Sequence, residues 1–177
     1  MKAINVVLML AFEIPAGAQD YCQRIKKEVS PDKTTFEFIS PFDPAEKPAV
    51  HVKRTYNIDP EYAYDNFYLV FRVPGELESI YEKTADGAQA EKVEHSIVVE
   101  FDDNSKVVDD SININHDFSD DRTQTIRYVD FPIDEKTMNS FATKKIVKFK
   151  LAGFEQPVTA DSANAVMHYV QCIKSAK

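Results

Sequence analysis

Tryptophan is missing altogether from the 177 residues, which removes the largest flat platform a protein can offer a sugar ring. There is no G-x-S-x-G, so the nucleophile elbow of the α/β-hydrolases is excluded. No H-E-x-x-H and no close pair of histidines occurs. His51, His95, His116 and His168 fall on four different predicted elements, so no metal site is assigned. The C-x-x-C spacing of redox and zinc centres is absent too. Basic residues are outnumbered: 21 Lys and Arg face 29 Asp and Glu, a net charge of −8. Neutralising a phosphate backbone needs clustered cations, so nucleic acid is excluded as a partner. Beyond residue 12 no stretch is long and apolar enough to span a bilayer as a helix.

What is present begins at the N-terminus. Lys2 precedes an apolar run over residues 3–12 (AINVVLMLAF), which has the length of an export signal and is too short to span a membrane. Glu13 and Pro15 break the run, and Ala16-Gly17-Ala18 supplies the small residues that a signal peptidase requires. The spacing predicts a signal peptide over 1–18, cleaved between Ala18 and Gln19, and one β-rich domain over 19–177. Lys2 and Glu13 cancel, so the processed chain keeps its charge of −8. Cys22 follows Gln19-Asp20-Tyr21, which is not the small-residue run that lipidation needs. The expected location is periplasmic or extracellular.

Export changes the reading of the two cysteines. In an oxidising compartment an even pair favours a disulfide, here Cys22–Cys172. Such a bridge closes a loop of roughly 150 residues, which the chain-entropy account values at about 5 kcal/mol.

Most of the domain alternates apolar and polar residues with period two, the pattern of half-buried strands. Strands are expected over 34–40 (TTFEFIS), 49–56, 66–73 (NFYLVFRV), 76–83, 93–101, 106–115, 123–131 and 145–151. Residues 93–101 and 106–115 flank Asp102-Asp103-Asn104-Ser105, a hairpin signal. Asp134 is placed to cap a short helix over 134–141. Thr159 or Asp161 opens a final helix over about 159–175, with Ala163, Val166, Met167, Val170 and Ile173 as its apolar stripe. Together these predict a mainly β protein: an antiparallel sandwich or strongly bent sheet of seven to nine strands, with the short helix and the C-terminal helix packed on it. Lys-rich 144–150 and the proline-bearing segments are expected to guard its edges.

From Ile97 onward, the Asp102-Asp103-Asn104 turn, the strand ending Phe131-Pro132-Ile133, the short helix, Lys145-Ile146-Val147-Lys148-Phe149 and the closing helix with Cys172 follow a familiar order. This order resembles a group of small exported bacterial β-domains with no assigned activity. The resemblance covers a little under half the chain. It implies a β-domain with a docked helix and carries over no catalytic residue.

Residues able to carry chemistry are few. His116-Asp117, beside an acidic loop over 117–121, is the best histidine–carboxylate pair; the plain alternative is a solvated loop histidine. Asp102, Asp103 and Asn104 form one oxygen-rich turn and Asp117, Asp120 and Asp121 another, but both lack the calcium-loop order. Tyr56, Tyr62 and Tyr64 form an aromatic group among polar residues, suited to a ligand surface, although strand aromatics commonly serve the core or cross-strand pairs. The expected function is an exported, non-catalytic domain that binds a protein, a glycan or an envelope component, without cofactor or metal. The alternatives are a secreted enzyme of the hydrolase type and a structural or assembly subunit of the envelope.

Overall fold

A computed structural model describes residues 16–41, 49–75, 81–83, 89–91, 94–118 and 125–176. Helix α1 (Ala16–Gln23) leads into strands β1 (Lys26–Val29), β2 (Thr35–Ile39), β3 (Ala49–Asn57) and β4 (Tyr64–Gly75). A small hairpin follows, β5 (Tyr81–Lys83) with β6 (Gln89–Glu91). Then come β7 (Glu94–Phe101), β8 (Lys106–Phe118), β9 (Thr125–Pro132), α2 (Glu135–Thr143), β10 (Ile146–Leu151), β11 (Phe154–Pro157) and α3 (Ala160–Ser175). Nine strands form one open antiparallel sheet in the order β1-β2-β3-β4-β9-β8-β7-β10-β11.

The sheet is strongly curled. β4 and β10 are separated by β9, β8 and β7, so a flat sheet would hold them roughly 19 Å apart. Yet the rings of Phe71 on β4 and Phe149 on β10 are 4.9 Å apart. The two halves therefore fold over a shared core that includes Val52, Leu69, Phe71, Val99, Phe101, Val129 and Phe149. β8 makes the corner. Its first part pairs with β7, and only Asn115, His116, Asp117 and Phe118 pair with β9. Between Asp109 and Asn113 the β7–β8 register shifts, with Ser96 at φ 87° opposite. A bulge of this kind lets one strand pass from one half-sheet to the other.

The helices plug the concave side. Phe141 of α2 meets Phe101 of β7 (5.1 Å) and Phe131 of β9 (6.4 Å), joining the halves beneath the corner. α3 packs on β3 and β10 and against α2. Its open C-terminal carbonyls are met by Arg54, whose guanidinium donates to the backbone oxygens of Ile173 and Ala176 while gripping Asp65 with two 2.8 Å bonds. This is the cation a helix C-terminus favours. Cys22 and Cys172 are bonded, tying α1 across α3, and Tyr21 stacks on His168 at 4.9 Å beside the bridge.

Several expectations need amendment. The curled single sheet is the bent-sheet form of the expectation, with sandwich-like stacking of its halves. Asp134 caps α2 and Thr159, rather than Asp161, caps α3. In the α3 stripe Tyr169 is buried and Met167 only half-buried. Two strands lie outside the expected set: β1, paired with β2, and β11, paired with β10. The edges are these two strands, so Lys26, Lys27 and Pro157 guard them; the 144–150 segment contributes β10, one strand in from the edge. Asp117 lies inside β8 rather than in a loop. Strand 76–83 is described only at 81–83, and the predicted export signal falls outside the described residues up to residue 15. Ala18 and Gln19 sit in α1, so cleavage there leaves its last turns and Cys22 in place.

Candidate functional site

The tip of the β3–β4 hairpin is shaped by its own carboxamide and carboxylate. Asn57 Oδ1 accepts from the Asp59 N–H (2.7 Å), and Asp59 Oδ1 from the Glu61 N–H (2.9 Å). Such side-chain-to-backbone bonds fix turns without a glycine. The Ile58 N–H donates to the Thr34 carbonyl at 2.9 Å, docking the tip on the β1–β2 turn. So held, the tip presents Tyr62 at 68 % exposure, Ile58 at 58 % and Tyr64 at 40 %.

The structure separates the three tyrosines named from the sequence. Tyr64 pairs with Asn57, and Tyr56 with Asp65, so Tyr56 and Tyr64 point to opposite faces of the sheet. Tyr56 is half-buried on the concave side, stacked on Phe36 (4.8 Å) and Phe38 (6.0 Å) with Arg54 over its ring. It supports the hairpin. Tyr62 and Tyr64, with Ile58, are the large exposed apolar side chains of the tip. Ile58 was missed because a lone apolar residue in a turn carries no periodicity.

His116 faces inward, not toward solvent. Its Nε2 lies 3.0 Å from Glu94 Oε2, and the same oxygen accepts from Arg127 Nε at 2.7 Å. The side chains of Arg127, His116 and Glu94 are 1 %, 3 % and 10 % exposed. The Arg127 guanidinium lies 4.2 Å from the Phe154 ring centroid, on the other half-sheet. Gly75 makes room for it, since a Cβ there would collide with Arg127 Nη1. Burial alone would raise the Glu94 carboxyl, but hydrogen bonds from Arg127 and His116 outweigh it and hold the group below its ordinary value. This cluster is an internal ionic clasp, not the loop pair expected of His116-Asp117.

The acidic turn at 102–105 is also engaged. Asp103 pairs with Lys144 at 2.7 Å and accepts from the Ser105 N–H, which keeps its carboxyl far below the usual range. Among the described residues no three His, Cys, Asp or Glu side chains are arranged to hold a metal ion. Asp120 and Asp121 lie outside the described residues.

His51, on the convex face, carries the clearest pH dependence. Burial, with Arg72 and Lys53 nearby, lowers it from 6.5 to about 4. The unfolded chain then binds the extra proton first. Stability from the neutral ring is complete above pH 6.5 and falls as pH drops toward 4, by about 3 kcal/mol. His51→Gln removes this limb, so chemical unfolding at several pH values is expected to show a smaller loss in the variant between pH 6.5 and 4. Parallel curves would refute the assignment.

Comparison with protein-family models, with curated proteins and with solved structures finds no match. The class the fold defines is thus an open, curled antiparallel β-sheet domain with a disulfide-anchored C-terminal helix.

Proposed function

We propose that this chain is an exported, non-catalytic domain that binds a protein, a glycan or an envelope component through the tip of the β3–β4 hairpin. The observation that carries the reading is the exposure of Tyr62, Tyr64 and Ile58 on one turn whose backbone is bonded by Asn57 and Asp59. Rigid, amphipathic tyrosines contribute large contact area at low entropic cost. A non-catalytic role is supported by the burial of His116, whose ring is committed to Glu94. Export to the periplasm or beyond is supported by the disulfide, since such bridges persist in oxidising compartments.

Tyr62→Ala with Tyr64→Ala is expected to leave the melting temperature within about 2 °C, because both rings face solvent. Immobilised on beads and washed with an envelope extract, the wild type should retain a component that the double variant loses. Equal retention by both proteins would place binding elsewhere; turnover of a substrate in a broad hydrolase screen would replace the reading altogether.

A further inference from the structure

The corner at β8 leaves the sheet split. β8 and β9 are paired only from Asn115 to Phe118. Before that point β8 follows β7, while the last part of β9 follows β4. The two diverging strands and the start of α2 enclose an open cleft of about 780 Å³. Val107 and Val108 line one side, Phe131 and Pro132 the other, and Ile133 and Thr137 lie toward α2.

The ladder phase says what the strands present to that cleft. The Phe101 N–H donates to the Ser105 carbonyl at 3.0 Å. Antiparallel pairs alternate between bonded and non-bonded, so Val107 bonds toward β7 and Val108 turns its N–H and C=O outward. On the far side the Ile133 N–H donates to the Phe67 carbonyl at 3.0 Å, which fixes Phe131 toward β4 and turns Asp130 outward. The β8 edge at Val108 thus faces the cleft, whereas Asp130 is not among the residues that line it. Its rim is acidic: Asp109, Asp110 and Asp134 all line it. Asp109 and Asp134 are held in the charged form by hydrogen bonds from Ser111 and Thr137. Val108 stands 53 % exposed between them.

We propose that this cleft receives an extended, cationic segment of a partner protein as an added strand. Backbone pairing with the outward groups of Val108 supplies the affinity, and alternate lysine or arginine side chains of the guest meet the aspartates. This surface is separate from the hairpin tip, so it stands or falls independently of the tyrosine variants.

The probe is a short, end-blocked peptide of alternating valine and lysine, with a valine–glutamate peptide as its counterpart. Amide exchange read residue by residue should slow about tenfold at Val108 with the lysine peptide and stay unchanged with the glutamate peptide. Val108→Pro removes an outward donor without breaking the β7 ladder and should weaken binding of the lysine peptide about tenfold in a direct titration. Asp110→Lys, a surface change, should weaken binding about tenfold and keeps the test valid if the proline variant fails to fold. Equal protection by both peptides, no protection at Val108, or insensitivity to Asp110→Lys would overturn the proposal. So would protection that grows with protein concentration in the absence of peptide, since a second copy would then be the occupant.

Discussion

Cys172→Ser is expected to cost the fold about 5 kcal/mol, because the bridge closes nearly the whole domain on itself. Cys22 and Cys172 are 150 residues apart. Without the link the unfolded chain regains the freedom that loop closure removed, and little native geometry need change for stability to fall. A loss of that size is a large share of the total stability of an ordinary domain. It also has a structural address. α1 is held on α3 by the bridge, by the Tyr21–His168 stack and by the edge contact of Tyr21 with Tyr169. Urea unfolding should show the variant and the reduced wild type with the same lowered midpoint and a steeper dependence on denaturant, since both expose a more open unfolded chain. Superimposable curves for oxidised wild type, reduced wild type and variant would remove the bridge from the account.

Glu94→Ala is expected to cost about 4 kcal/mol, the second largest effect. The reason is that a buried guanidinium loses the carboxylate bonded to its Nε. Arg127 is 1 % exposed and has its Nε bonded to Glu94. Removing the carboxylate takes one anionic partner from a guanidinium that is 1 % exposed, and an acceptor from His116. Glu94→Gln keeps an acceptor in place and should cost clearly less. Replacing Glu94 and Arg127 together by leucines should restore part of the loss, because the carboxylate and the guanidinium bonded to it are then removed together. A loss below about 1 kcal/mol for Glu94→Ala, measured by equilibrium unfolding, would mean that Arg127 finds solvent or another anion.

The strand periods, the Asp102–Ser105 hairpin and the C-terminal helix were legible because each is written locally: alternation, turn formers, a cap. Elements that depend on less usual chemistry were not. β11 escaped because its turn is Ala152-Gly153, with an alanine at φ 48° where Asn or Asp commonly signals the bend. β1 (KKEV) is an edge strand exposed at every position, so it shows no alternation to read. The 117–121 segment read as a loop from its aspartates, yet the β9 ladder carries β8 on through Asp117 and Phe118.

The clasp was half visible. Arg127 is in phase with Val129 and Phe131, a charge on the buried face of its strand, and that pattern asks for a partner. Its partner Glu94 could not be found the same way. The bulge at Ser96 shifts the phase of β7, so counting back from Ile97 puts Glu94 on the wrong face. Arg54 follows the same rule as Arg127: it is in phase with Val50 and Val52, and it is the C-terminus of α3, about 120 residues away, that explains it. The cleft between β8 and β9 was not legible at all, since it arises from where two ladders part and not from any residue pattern.

The most direct test of the account is the native mass of the protein recovered after export, without reductant. The account predicts a chain that starts at Gln19, about 2 Da lighter than its reduced mass, and carries the mass of a bound partner that Tyr62→Ala with Tyr64→Ala removes. A full-length, reduced chain with nothing bound would contradict both the export and the binding that the account rests on.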